Sequence, residues 1–546
     1  MIKRTGLIFL TAAISIHAQD ALFTNVRRAN RKTNVKVVRA TTANQRAQQT
    51  LQTQLTNGDE QRYADKRGSY GKGLKQNDDG FVNVTAFKQL VIATQTGLPA
   101  DFNKITMGTS PVERRLHSPQ AGLDINLIGA DGWINSIPAP PTLASAEKAG
   151  EMVEVYWQAL LRNVNFIDYD TDLDVPVAIA DLNNLSDFKG PKENGLVTVQ
   201  TLFREDIPGA LVGPYVSQFL FKDILFNDTF ITQLYTVPTA ANTNEFMTTF
   251  AEWFFIQQGH NPIRTITFDG TPRYIRNAHD LGNYVHKDPP QLPYLFALLI
   301  LLSFGTEALD PSNPYINNPT QEAFAEFFKP QFAALISMAT DAALHAAWYQ
   351  KWFVHRTIRP EYYGFLVNQQ ITGVFDAGLH EDIINSQAVQ FIFALNSVIN
   401  GGMGTYFLPQ AFPEGSPIHP TYPAGHATVA GACVTMLKAF FNEDFVIPNP
   451  VIPNAAGTAL VAYTDGPLTV GGELNKLAAN IAIARNMAGV HYRSDATQSL
   501  LLGEKMAISM LEDWAYTFNI PFNGFSLTKF DGTKITVGAK RTAPSI

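Results

Sequence analysis

Cysteine is almost missing from this chain. Cys433 is the only one in 546 residues, so no intrachain disulfide can form and stability must come from packing. It falls in an apolar stretch and reads as a small core residue. A broad basic excess is missing too. The net charge is −7, which argues against a partner whose phosphates need neutralising, so no nucleic-acid binding is expected. The one dense basic run, Arg27 to Lys32, reads as a solvated N-terminal arm. Beyond the N-terminal leader, the longest apolar run, Tyr294 to Phe304, is too short to cross a bilayer, so the protein is not expected to span a membrane. Strand signals are weak and scattered, and no internal repeat is visible. With 45% hydrophobic residues the chain can still build a sizeable core. An all-α chain with long connections is the simplest architecture that these absences leave.

Along the chain, residues 1–18 read as a signal peptide. Lys3 and Arg4 precede an apolar stretch from Gly6 to Ile16, and Ala18 follows it; a secreted or periplasmic protein is therefore expected. Residues 19–70 are polar, with no sustained apolar period, and read as an arm. Helical patterns run from Val82 to Gly97, Ala144 to Phe166, Glu245 to Gln257 and Pro293 to Phe304. The longest runs from Gln321 to Arg356 and is broken at Pro330. Its Phe332, Leu335, Ile336, Ala339, Ala343 and Ala347 fall on one face, and the small residues among them suggest close helix packing. We divide the chain into an N-terminal helical region, 71–290, and a C-terminal one, 291–546.

Three short segments carry the chemistry. The first, Ser416 to Thr428, holds His419 and His426, with Pro423-Ala424-Gly425 turning the chain sharply before an apolar helix from Ala427. His426 therefore sits at a helix N-terminus, where unpaired N–H groups and the positive end of the dipole favour an oxyanion. The second contains Lys351, His355, Arg356 and Arg359. On a continuous helix ended by Pro360, Lys351 and Arg359 would lie within about a quarter turn of each other. Two cations converging there call for an anion between them, and a planar guanidinium suits a tetrahedral one. The third runs from Arg485 to His491 and on to Asp495. Gly489 is expected to stop the helix that carries Arg485, and Ser494 to cap the next.

In order, spacing and flanking residues these segments resemble the vanadium-dependent haloperoxidases, a family that shares its site with type 2 phosphatidic acid phosphatases and bacterial acid phosphatases. The resemblance extends over roughly residues 75 to 530. It implies two four-helix bundles side by side, with the site in the second; periodicity alone implies only helices. It also implies one vanadate per subunit, with His491 as the only protein ligand of the metal. Lys351, Arg359, Arg485 and the Gly425 N–H, beside Ala424, would hold the equatorial oxygens. His426 would bond the apical oxygen and serve as general acid–base, and Lys351 would polarise bound peroxide. His419 matches a position that bears on halide choice, histidine in the family's bromoperoxidases, and Trp348 would wall the halide pocket or pack in the core. His355 is expected behind the site, and Asp495 to pair with Arg359. Hydrogen peroxide, a halide and a small organic acceptor would be the partners, and a homo-oligomer the assembly. The function implied is oxidation of bromide or iodide to hypohalous acid.

The alternative on the same residues is an acid phosphatase with His491 as nucleophile. Zinc held by His419, His426 and His491 is disfavoured, because the three nearby cations raise the cost of a divalent cation and lower that of a multiply charged anion. One departure stands out: the family has serine where this chain has Ala424. A lost hydrogen bond to a charged group is worth about 1.5–3 kcal/mol, so weaker vanadate retention is expected.

Overall fold

The computed structural model describes residues 28–538. The leader expected at 1–18 lies outside the described residues. Residues 28–47 of the expected arm form a helix, α1, that is mostly exposed. It lacks an apolar face because it docks through polar contacts. Arg46 bonds Asp513 at 2.8 Å and Glu512 at 3.0 Å, and Arg31 bonds Asn519 at 2.9 Å. Periodicity does not reveal a helix held in this way.

The remainder is mainly helical. Helices α2 (Val84–Thr96), α3 (Ala146–Leu160) and α4 (Phe250–Gln257) fall inside the expected helical stretches, and α5 (Leu292–Ser303) starts one residue before its own. Asn83, Ser145 and Thr249 cap α2, α3 and α4 by accepting from first-turn N–H groups. Among the described residues three short antiparallel pairs occur: β1–β2 (Ile224–Phe226 with Thr229–Ile231) and β3–β4 (Val451–Pro453 with Leu460–Ala462) sit in the connections, and β5–β6 (Phe525–Thr528 with Lys534–Val537) follows the last helix.

Two prolines start helices where the sequence suggested a break and an end. α6 (Lys329–Tyr349) has Pro330 in its first turn, leaving residues 321–328 irregular, and α7 (Pro360–Ile371) begins at Pro360. Proline lacks an N–H and so suits the first turn, where that donor has no intrahelical acceptor. Lys351 and Arg359 therefore do not share a continuous helix. Gln350–His355 form a π-helical turn, Arg356 adopts a left-handed conformation at φ 43°, and Arg359 precedes α7.

The C-terminal half is organised around α8 (Gly425–Lys438), which packs against α6, α9 (Val470–Met487) and α10 (Arg493–Trp514). Glycines set the closest approach. A Cβ on Gly503 would stand 2.0 Å from the Thr428 carbonyl oxygen, and one on Gly431 would stand 2.2 Å from that of Leu500. Cys433 is buried where α8 meets α6, 3.3 Å from the Thr340 hydroxyl. The tight α8–α10 contact holds the N-terminus of α8 beside that of α10, and this places the site.

Candidate active site

Five chain segments bring their side chains to one buried point: the π turn after α6, the residue before α7, the loop before α8, the C-terminal end of α9 and the connection from α9 to α10. Lys351, Arg359, Arg485 and His491 are each at most 3% exposed. None of the three cations has a carboxylate within ion-pair reach among the described residues; they bond carbonyl oxygens instead. Lys351 Nζ donates to Pro420 and Thr421, each at 2.7 Å. Arg359 donates to His419 at 3.0 Å and Val490 at 2.7 Å. Arg485 donates to the Val285 carbonyl, lies over the Phe412 ring at 5.4 Å, and has a buried Nε with no partner.

Burial, and next the neighbouring Arg359, pushes the Lys351 ammonium well below its usual pKa. Burial lowers Arg359 and Arg485 to about 10. Buried cations without counter-charges are costly, and a multiply charged anion among them would offset that cost.

His491 sets the chemistry. Its Nδ1 lies 2.7 Å from Asp495 Oδ2 and 3.2 Å from the Thr421 hydroxyl, so Nδ1 carries the proton that the carboxylate accepts. Nε2 is then left as a lone pair, and an Arg359 N–H points at it from 3.0 Å. Burial, followed by Arg359, Lys351 and Arg485, holds the ring neutral by driving its pKa well below the usual value. A neutral imidazole oriented by a carboxylate is the usual form of a metal ligand.

Asp495 is therefore not the partner of Arg359 expected from sequence. Being the third residue of α10, it reaches back to the Tyr492 N–H at 3.1 Å and to His491, four positions before it. The helix also starts two residues earlier than expected, with Tyr492 rather than Ser494 at its N-cap.

His426 stands on the opposite, more open side, in the first turn of α8. Its side chain is 21% exposed, and Nε2 is 2.9 Å from Asp288 Oδ1. Burial alone would raise the Asp288 pKa, but His426 and then Arg485 outweigh it, so the carboxylate stays ionised. Ala424 caps α8 without a side-chain bond. Its N–H is 2.7 Å from the Ser499 hydroxyl, and a Cβ added to Gly425 would lie 3.1 Å from Trp348. His419 bonds Arg359 through Nδ1 at 2.9 Å, and its ring centroid is 4.9 Å from that of Trp348. Burial first, then Lys351 and Arg359, keeps His419 neutral.

Of the residues singled out in the sequence, the structure brings Lys351, Arg359, Ala424, Gly425, His419, His426, Arg485, His491, Asp495 and Trp348 together. His355 faces away, bonding Gln350 at 3.1 Å and meeting the Tyr422 ring edge-on. Asp288, Thr421 and the pair His286–Glu414, 2.7 Å apart, were missed. Their partners lie far off in sequence, so no local pattern marks them.

Residues 331–519 match the family described as the VCPO second helical-bundle domain, which places the C-terminal half in the class of vanadium-dependent haloperoxidase helical domains. The chain is 35% identical over 482 residues to a vanadium-dependent bromoperoxidase of Ascophyllum nodosum, covering 85% of each chain. It is 32% identical to one of Corallina officinalis, covering 86% of this chain and 90% of the other. Among solved structures, the homohexameric second vanadate-dependent bromoperoxidase of Ascophyllum nodosum superposes with a TM-score of 0.87 at 30% identity, over 93% of this chain and 90% of that one. The chain belongs to the vanadium-dependent bromoperoxidase family.

Proposed function

We propose that the protein uses hydrogen peroxide to oxidise bromide or iodide to hypohalous acid or its equivalent, which halogenates an organic acceptor, with one vanadate held at His491. The observation that carries this reading is the set of three buried, carboxylate-free cations around a neutral histidine whose Nε2 is left as a lone pair. That donor set fits vanadate: the orphaned Arg485 Nε and the cations favour an oxyanion, and Nε2 favours the metal. Bound vanadate would supply a Lewis-acid centre that activates peroxide toward halide attack without changing its own oxidation state.

The protein's residues do the rest. Lys351, Arg359, Arg485 and the Gly425 N–H would hold the oxyanion, with the first turn of α8 adding its dipole. His426 uses Nε2 to bond Asp288, which leaves Nδ1 to accept and return the proton of hydrogen peroxide. Lys351 would polarise the bound oxidant. Trp348 and the neutral His419 would wall the halide's approach. Homology to a protein described as homohexameric supports a homo-oligomer, and the leader supports export. The family match supports a site-bearing second helical bundle beside a first.

The test is paired activity on one metal-free preparation in phosphate-free buffer. Bromide and iodide oxidation that appears only with added orthovanadate is expected. Robust hydrolysis of an aryl phosphate without vanadate, and no halide oxidation with it, would overturn the reading in favour of phosphoryl transfer.

A further inference from the structure

A lysine from the other end of the chain grips the loop that carries His419. Lys72 stands in an irregular segment before α2, outside the residues that match the helical domain. This segment is stitched to the stretch that leads to Arg359: the Tyr70 N–H donates to the Arg356 carbonyl at 2.7 Å, and Ser69 pairs with Thr357 as an isolated antiparallel bridge. Lys72 and Glu361 are 2% and 1% exposed, with Nζ 2.6 Å from Oε1. The ammonium also donates to the carbonyls of Glu414 at 2.9 Å and Ser416 at 2.7 Å. Glu361 holds the same loop through its other oxygen, since Oε2 accepts from the Ser416 N–H at 2.7 Å, while Oε1 accepts a further bond from Gln257 at 2.7 Å. The fit leaves no slack. Gly415, between the two gripped residues, has φ 59°, and a Cβ there would stand 2.3 Å from Glu361 Oε2. Arg114 adds a longer bond, 3.3 Å, to the Glu414 carbonyl.

We propose that Lys72, acting through Glu361, is a positioning residue for the reaction: it fixes the loop that carries His419 and, with it, the guanidinium of Arg359. The inference rests on the haloperoxidase reading. A buried ion pair is a poor source of stability, because desolvation offsets the attraction. A pair whose lysine directs all its other hydrogen bonds to one loop is better explained by the geometry it sets. Glu361 follows Arg359 by two residues, and Ser416 precedes His419 by three. His419 in turn accepts from Arg359 through its carbonyl at 3.0 Å and meets it through Nδ1 at 2.9 Å. A closed ring results, running from Lys72 and Glu361 through the loop to His419, across to Arg359 and back along the chain to Glu361. Releasing the loop therefore frees the oxyanion's guanidinium and the wall of the halide's approach together, without touching His491 or His426.

Three variants of the full chain separate positioning from plain support. Lys72→Met leaves a buried carboxylate and should lower the melting temperature, whereas Lys72→Met/Glu361→Gln leaves no buried charge and should regain most of that loss. Glu361→Gln alone keeps the volume but offers one acceptor oxygen where the carboxylate offered two, so it loosens the grip on Ser416 with little change in packing. Glu361→Gln and the double variant should both hold vanadate about tenfold more weakly, by equilibrium dialysis in phosphate-free buffer. Both should also raise the bromide KM about fivefold while kcat stays within about twofold of the wild type. Wild-type vanadate affinity and wild-type bromide KM in these two variants would overturn the proposal and leave the pair a structural tie. A wild-type holoenzyme that oxidises no bromide would instead defeat the haloperoxidase reading. The dialysis would still test the clamp, because it reads Arg359's hold on an oxyanion whatever reaction follows.

Discussion

The two histidines at the heart of the site each pair with a carboxylate, yet they sit in opposite surroundings. His491 and Asp495 are at most 2% exposed and belong to adjoining segments, the connection and the first turn of α10. His426 is 21% exposed and takes its carboxylate, Asp288, from a segment 138 residues away. Around His491, burial and three cations hold the ring neutral, which suits a fixed lone-pair ligand. Around His426, an open face and an ionised partner suit a group that gains and loses a proton. The same side-chain pair thus takes two roles, and the surroundings divide them.

The largest expected effect comes from removing either ring. His491→Ala and His426→Ala should each lower bromide oxidation by a factor on the order of 10³ or more, measured as kcat/KM on vanadate-saturated protein. Near-normal turnover in either variant would break the division of roles.

Next come the carboxylates, which act through their histidines. Asp495→Asn should weaken vanadate retention by about 10- to 100-fold. Asp288→Asn should leave retention nearly unchanged and lower kcat instead. If both variants changed the same parameter, the two pairs would be equivalent and the contrast would fail.

Ala424 offers a gain of function. A serine there would add a hydroxyl at the cap of α8, and vanadate affinity in phosphate-free buffer should rise by about tenfold. An unchanged titration would show that the cations and the helix terminus already saturate the oxyanion.

The smallest effect is on stability and pH. Burial, with Arg356 next, lowers the His355 pKa to about 3 from an ordinary value near 6.5. Between those values the unfolded chain binds a proton that the folded one does not. Stability is therefore full above about pH 6.5 and falls by about 1.4 kcal/mol per pH unit for this group as pH drops toward 3. Urea unfolding at pH 7 and 5 should show a shallower pH dependence in His355→Gln by about that amount. An identical slope would mean that His355 titrates normally.

Much of this site was legible in the sequence because its signals are local. Pro423-Ala424-Gly425 before an apolar run marks the start of α8, and Gly489, at φ 82°, marks the stop after α9. The cations fall within a few residues of these punctuation marks. What was not legible depends on distance or on reading one residue two ways. Pro360 and Pro330 can each end or begin a helix, and both stand in a first turn, where the missing N–H costs no intrahelical bond. Asp495 could have met Arg359 or His491, and its place at the third position of α10 decided for His491. Asp288, His286 and Glu414 come from loops with no period, and only the folded chain brings them to the site. The helix at residues 28–47 was hidden for a related reason, since it docks through polar contacts such as Arg46 with Asp513.

The most direct measurement of the division of roles is vanadate retention by equilibrium dialysis in phosphate-free buffer, for the wild type, His426→Ala and His491→Ala side by side. His426→Ala should hold vanadate within about tenfold of the wild type, whereas His491→Ala should lose at least about a hundredfold in affinity. Retention of wild-type affinity by His491→Ala, or its loss in His426→Ala alone, would contradict the assignment of the buried histidine as the ligand and the half-exposed one as the proton carrier.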